Sequence, residues 1–127
     1  MKLIKNIKAE FIDKRGAITR ILDDGKTIIK SVLLITSKAG SVRSNHYHLK
    51  DTHYLYVLSG EMEYYEKSVN SKAKPKKVIV NKGDMVYTST MMIHTTKFLQ
   101  NTVLLTLSTK SRNQKAYEKD TIKINLI

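Results

Sequence analysis

The chain has 127 residues, no cysteine and a single proline, and its 23 Lys and Arg against 11 Asp and Glu give a formal charge of +12. That length holds one domain, spanning 1–127, and the missing cysteines exclude a disulfide framework, a thiolate metal site and a cysteine nucleophile. No apolar run reaches the ~18 residues of a membrane-spanning helix, and the N-terminal MKLIKNIKAEFIDKRG lacks the continuous apolar stretch of a signal peptide. A cytoplasmic protein that does not insert into membranes is therefore expected.

In chain order, Leu3 to Ile12 is a short apolar-polar segment suited to pairing with a neighbouring subunit's sheet. Thr27 to Thr36 reads as a long strand. Tyr54 to Leu58 and Glu61 to Lys67 flank Ser59-Gly60, a hairpin turn. Lys67 to Lys76 is the one long polar insertion and caps a hairpin. Lys77 to Val80, Met85 to Thr88 and Thr102 to Ser108 are further strands, Arg112 to Lys119 suits a short helix, and Ile122, Ile124 and Leu126 alternate with polar residues at the strand period. All five glycines fall between these segments, where turns belong. Short strands at this spacing predict an all-β sandwich or barrel with an inward and an outward face along every strand.

The strongest functional signal is histidine. His46 and His48 form an H-x-H pair, and at the strand period both rings point to one face. His53 opens the next strand, and His94 comes from a distant one. If their faces meet in the lumen, the imidazoles converge on a point where a divalent transition metal (zinc, iron, manganese, nickel or copper) can bind.

The spacing also resembles a family. Gly40 to Gly60, GSVRSNHYHLKDTHYLYVLSG, resembles the first cupin motif, G-x5-H-x-H-x4-E-x6-G, and Gly83 to Phe98, GDMVYTSTMMIHTTKF, resembles the second, G-x5-P-x-G-x2-H-x3-N. The resemblance implies a double-stranded β-helix, or jelly-roll barrel, with a metal held by His46, His48, the acid position of the first motif and His94. His53 stands at that acid position, which makes an all-nitrogen, four-histidine site more positive than usual and favours an anionic or enolised substrate. Ser89 and Met91 replace the turn-forming Pro and Gly, and Phe98 replaces Asn. Phe11 to Leu22, FIDKRGAITRIL, looks like the start of sugar-nucleotide cupins of the 3,5-epimerase and 3,4-ketoisomerase kind. The whole chain is similar to short cupins of bacterial surface-polysaccharide synthesis.

Other residues suit a sugar site. Tyr64 and Tyr87 are the candidate proton donors or oxyanion partners among seven tyrosines. Arg15, in the D-x-R-G stretch, and Arg43, just before the H-x-H pair, are candidates for binding phosphate or sugar hydroxyls. The charge, carried mostly by scattered lysines, suits a small anionic sugar. Nucleic acid is not expected, because no basic stripe carries interleaved aromatics. These features lead to a metal-binding isomerase or epimerase of a nucleotide-linked or phosphorylated sugar. The alternatives are a metal-dependent dioxygenase or oxidase, and a non-enzymatic sugar- or metal-binding module. Uncovered sheet edges in so small a fold suggest a homodimer.

Overall fold

A computed structural model describes residues 1–127. The elements are β1 (Lys2–Ile4), β2 (Phe11–Asp13), β3 (Gly16–Ile18), β4 (Ser31–Ser37), β5 (Val42–His48), β6 (His53–Ser59), β7 (Glu61–Ser68), β8 (Lys76–Asn81), β9 (Met85–Thr88), β10 (Met92–Phe98), β11 (Thr102–Ser108), α1 (Gln114–Asp120) and β12 (Thr121–Lys123). Two five-stranded sheets, β1-β9-β6-β11-β4 and β12-β5-β10-β7-β8, stand beside a separate β2-β3 hairpin. Every pairing is antiparallel, and the crossed order is the cupin jelly roll.

Alternation sets the two faces. Along β11, Thr102, Leu104, Thr106 and Ser108 are buried, while Val103, Leu105 and Leu107 between them are half-buried on the outer face. The central core joins the inner faces of both sheets through Leu55, Val57, Met62, Tyr64, Val80, Val86, Phe98 and Leu104. Strand β6 breaks the alternation because Tyr54 and Tyr56, on its outer face, are themselves covered by Ile7, Ile21 and Leu22 of the N-terminal segment.

Several sequence boundaries shift for identifiable reasons. The first long strand starts at Ser31, not Thr27, because its partner β11 ends at Ser108, opposite Ser31. Asp24 instead folds residues 26 and 27 into a turn, accepting hydrogen bonds from both backbone N–H groups. The helix starts at Gln114, where the Asn113 side chain caps it by accepting from the Ala116 N–H. The C-terminal alternation yields only the short β12, after which residues 126 and 127 donate their N–H groups to the Asn45 side chain. The segment expected to pair with a neighbour's sheet pairs instead within the chain: β1 lies on β9, with Lys2 opposite Tyr87.

Two local features aim the site. Ser44 and Asn45 have positive φ, and the β10–β5 register slips between His94 and Thr95, so β5 carries a bulge. His94 faces His46 and Thr96 faces Arg43 across that bulge, which turns Arg43 to the same inner face as His46 although the two are three positions apart. The turn before β10 is closed by Met91 at φ +61, a left-handed position where the cupin motif has glycine, and its N–H donates to the His48 carbonyl.

Candidate active site

The four histidines are all buried and come together between the sheets: His46 and His48 from β5, His53 from the first position of β6, and His94 from β10. Ring centroids lie 4.7 Å apart for His46–His48, 4.6 Å for His46–His94, 5.1 Å for His53–His94 and 5.6 Å for His48–His53. They line a cavity of about 170 Å³ whose other walls include Arg43, Thr96, Phe98, Thr106, Arg112 and Tyr117. By potential ligand atoms the quartet divides in two. His46, His48 and His94 form one group and His48, Asp51 and His53 another, each with its atoms within 4.8 Å of one another.

Burial dominates the electrostatics. Removed from water, the imidazoles resist protonation: His46 is pushed down to about 2, with repulsion from His94 and His48 added, and His94 to about 4, where the Met92 carbonyl partly offsets the burial. His48 and His53 are lowered as well, mainly by burial, with Asp51 working the other way on His48. All four rings are therefore neutral near pH 7.

The neighbours set the ring tautomers. Nδ1 of His94 lies 3.0 Å from the Met92 carbonyl, which can only accept, so Nδ1 carries the proton and Nε2 is a lone pair. Nδ1 of His48 meets the Thr121 hydroxyl at 3.2 Å; that hydroxyl spends its own proton on the Tyr117 carbonyl at 2.6 Å, so His48 donates from Nδ1 and also leaves Nε2 free. Asp120 Oδ2 stands 3.7 Å behind the same Nδ1.

Of the other sequence candidates, only Arg43 joins this cavity. Its Nε donates to Ser37 Oγ at 2.7 Å and its Nη2 to the Thr36 carbonyl at 3.1 Å. Tyr64 is fully buried on the inner face, but its hydroxyl is bound to Thr88 and Glu66 and does not line the cavity; burial raises it well above the usual tyrosine range. Tyr87 lies on the outer face of the opposite sheet, 4.8 Å from the Tyr54 ring and under the Lys2 ammonium. Arg15, at the tip of the β2–β3 hairpin, is exposed and engages Asp13, away from the histidines.

Sequence reading assigned no role to Asp51, Arg112, Tyr117 or Asp120. Arg112 stacks on the Tyr117 ring at 4.5 Å, a cation–π contact, and with His48 and Tyr117 forms a wall shared with a second cavity. That cavity, about 470 Å³, also contains Lys50, Lys110, Lys119 and Asp120. The pairing of β12 with β5, Thr121 opposite His48, brings Arg112, Tyr117 and Asp120 here, while Lys50 and Asp51 come from the β5–β6 turn. The available signal was the short helix running directly into an alternating segment.

Comparison with known proteins agrees with the fold. The QdtA 3,4-ketoisomerase of Thermoanaerobacterium thermosaccharolyticum, a double mutant in complex with TDP, superposes with a TM-score of 0.75 at 27% identity, over 96% of this chain and 86% of that one. The rmlC epimerase of Mycobacterium tuberculosis gives 0.78 at 17% identity, over 96% and 67%. WlaRA, a TDP-fucose-3,4-ketoisomerase of Campylobacter jejuni, gives 0.76 at 21%, over 95% and 87%. No curated protein matches the sequence significantly. Residues 11–122, all but the two ends, match the polysaccharide biosynthesis C-terminal domain, and the chain belongs to that family, built on a cupin jelly roll.

Proposed function

We propose that this chain is an isomerase or epimerase of a nucleotide-linked or phosphorylated sugar in surface-polysaccharide biosynthesis. The observation that carries the reading is the cavity between the sheets, which neutral His46 and His94 line together with Arg43 and Arg112. Support comes from the family and from the TDP held by the related 3,4-ketoisomerase. At about 170 Å³ the inner cavity is smaller than the ~300–1,000 Å³ of drug-sized sites, so it suits a sugar ring, while the larger cationic cavity beside it suits anionic groups.

The chemistry follows from the tautomers. Nε2 of His94, open to the cavity and fixed as a lone pair by Met92, takes a proton from a carbon beside a sugar carbonyl. An anionic substrate and its growing enolate charge stabilise the imidazolium that forms, which offsets the burial opposing it. A guanidinium stabilises the enolate oxygen. The carbon that loses the proton carries a hydroxyl; when the proton returns to the former carbonyl carbon and the hydroxyl proton passes to the enolate oxygen, the ketone has moved to the neighbouring carbon. Because His46 and His94 sit opposite one another on adjacent strands, they serve one face of the substrate, which favours isomerisation over inversion.

The cavity also suits a divalent transition metal. Four neutral imidazoles, His46, His48, His53 and His94, are the expected holders, and two of them keep a buried nitrogen with no partner. Such an ion would supply Lewis-acid polarisation of a substrate carbonyl. A homodimer accompanies this reading, the second copy covering the exposed Ile28, Val32 and Leu34 beside β11.

The test is incubation with TDP-4-keto-6-deoxyglucose, the ligand of a related ketoisomerase, in deuterated water. Deuterium at the carbon next to the ketone, with an isomeric ketone as product, is expected. Binding without exchange would make the chain a binding module, and oxygen consumption would make it an oxidase; either result overturns the proposal.

A further inference from the structure

Five buried side-chain polar atoms in the chain have no hydrogen-bond partner: His48 Nε2, Asp51 Oδ2, His53 Nδ1, Thr106 Oγ1 and Arg112 Nε. An unpartnered buried polar atom is costly, and native folds keep few of them. Here they are not scattered. Three belong to the group His48, Asp51 and His53, whose potential ligand atoms lie within 4.8 Å of one another, and Thr106 and Arg112 line the same cavity as the two histidines.

We infer that His48, Asp51 and His53 form a metal centre of two imidazoles and one carboxylate, which takes a divalent transition ion. The inference rests on the reading above that the cavity accepts a metal, and it replaces the four-histidine ligand set. Two neutral nitrogens and one anionic oxygen, with further positions open, are a donor set for first-row divalent ions. The unpartnered atoms are of the kind a metal uses: one ring nitrogen on each imidazole and one carboxylate oxygen.

The surroundings hold these ligands in place. Asp120 accepts the N–H of Lys50 on one carboxylate oxygen and that of Asp51 on the other, 2.7 and 3.0 Å, and so fixes the β5–β6 turn that carries Asp51. The same Asp120, with Thr121, stands behind Nδ1 of His48 and turns Nε2 inward, as carboxylates behind metal-bound histidines do. Asp51 Oδ1 accepts from Thr109 at 3.3 Å, which leaves Oδ2 free. The one cation near Oδ2 is Arg112 Nη1 at 4.0 Å, beyond hydrogen-bond reach and held back by its stacking on Tyr117.

The all-imidazole group His46, His48 and His94 is the weaker competitor. A divalent ion there has no anionic ligand in a buried cavity that already holds Arg43 and Arg112, whereas Asp51, which meets Arg112 only at 4.0 Å, supplies one. Neither His46 nor His94 has a nitrogen that is both buried and unpartnered. In the mixed centre these two rings stay free to meet the sugar, so metal and proton transfer use different histidines.

The test is titration of tag-free, chelator-stripped protein with Co²⁺, read by its visible d–d absorption and by the shift in thermal midpoint. Wild type should take up one equivalent and unfold at a higher temperature. Asp51→Asn and His53→Asn should each weaken binding at least about 10-fold, while His46→Ala binds as wild type does. Circular dichroism and the metal-free midpoint identify any variant that fails to fold, and the two ligand variants check each other. Loss of Co²⁺ in His46→Ala and His94→Ala, with Asp51→Asn unaffected, would overturn this ligand set and leave the metal reading standing. No uptake by wild type would overturn both, and the deuterium-exchange test would still decide the isomerase reading.

Discussion

Acidification should unfold the metal-free protein well above the pH at which its carboxylates titrate. His46 and His94 titrate near 6.5 in the unfolded chain but at about 2 and about 4 in the fold. Between pH 6.5 and 4 the unfolded state therefore binds more protons than the native state, and stability must fall as pH falls. At pH 5 each group loses on the order of 2 kcal/mol (1.5 pH units at about 1.36 kcal/mol each), and roughly 4 kcal/mol together, because both rings are still unprotonated in the fold. His48 and His53, also lowered, act in the same direction. Small domains have only about 5–15 kcal/mol to lose. The measurement is urea unfolding at pH 7, 6 and 5, followed by far-ultraviolet circular dichroism. The midpoint should drop by about 1–3 M between pH 7 and 5, and His94→Gln should flatten the dependence. Asp13 and Glu10, lowered by their arginine partners, lose their contribution only below the usual carboxylate range, outside this window. Equal midpoints at pH 7 and pH 5 would refute the argument that burial holds these rings neutral.

Four further outcomes can be checked. Arg43→Ala should reduce kcat/KM for the sugar nucleotide about 10- to 100-fold through KM, as expected for a lost charged contact, with thermal stability nearly unchanged. Gly60→Ala should cost about 2–4 kcal/mol in chemical denaturation, because Gly60 sits at φ +95 and an added Cβ would meet the Asn101 carbonyl and Thr102 Oγ1 at 2.5 Å. Met91→Gly should stabilise the fold by about 1 kcal/mol, since it relieves the left-handed φ of +61 on an exposed turn. For the dimer, Leu34→Lys should shift wild-type sedimentation to that of a monomer; a wild type that already sediments as a monomer would remove the second copy from the proposal.

The fold was legible because its determinants are local. The turn at Ser59-Gly60, the strand over Thr102 to Ser108 and the two histidine-bearing segments lie within windows of about 20 residues, and each matches the structure. What the chain could not show locally is which strand lies beside which. A strand beginning at Thr27 fits the apolar pattern, but β11 has no residue to pair with it before Ser31. Tyr87 is misplaced for the same reason, whereas Tyr64 does face inward from the histidine-bearing sheet but bonds Thr88 and Glu66 instead of lining the cavity. Alternation gives the side of a strand but not the sheet, and β9 lies in the sheet opposite His46, His48 and His94, with Tyr87 on its outer face.

The site was half legible, and the missing half depends on two irregularities. Simple alternation puts Arg43 on the face opposite His46. The bulge at Ser44 and Asn45 reverses it, and that bulge is held from a distance: the Asn45 side chain accepts from the Thr95 hydroxyl and from the N–H of residues 126 and 127. The second irregularity is the return of the chain at β12, which lays Thr121 against His48 and carries Asp120, Tyr117 and Arg112 onto the histidines. Both devices join segments some 50 to 80 residues apart in the chain, so no motif spacing can encode them. They also set the balance of charge. Without them the cavity would hold four imidazoles and no guanidinium group. With them Arg43 and Arg112 join the cavity lining beside His46 and His94, and Asp120 stands behind His48, while Asp51 is already supplied by the β5–β6 turn. On the proposed reading, that division into an anion-accepting side and a cation-accepting side would let one small cavity take an anionic sugar and a metal ion together.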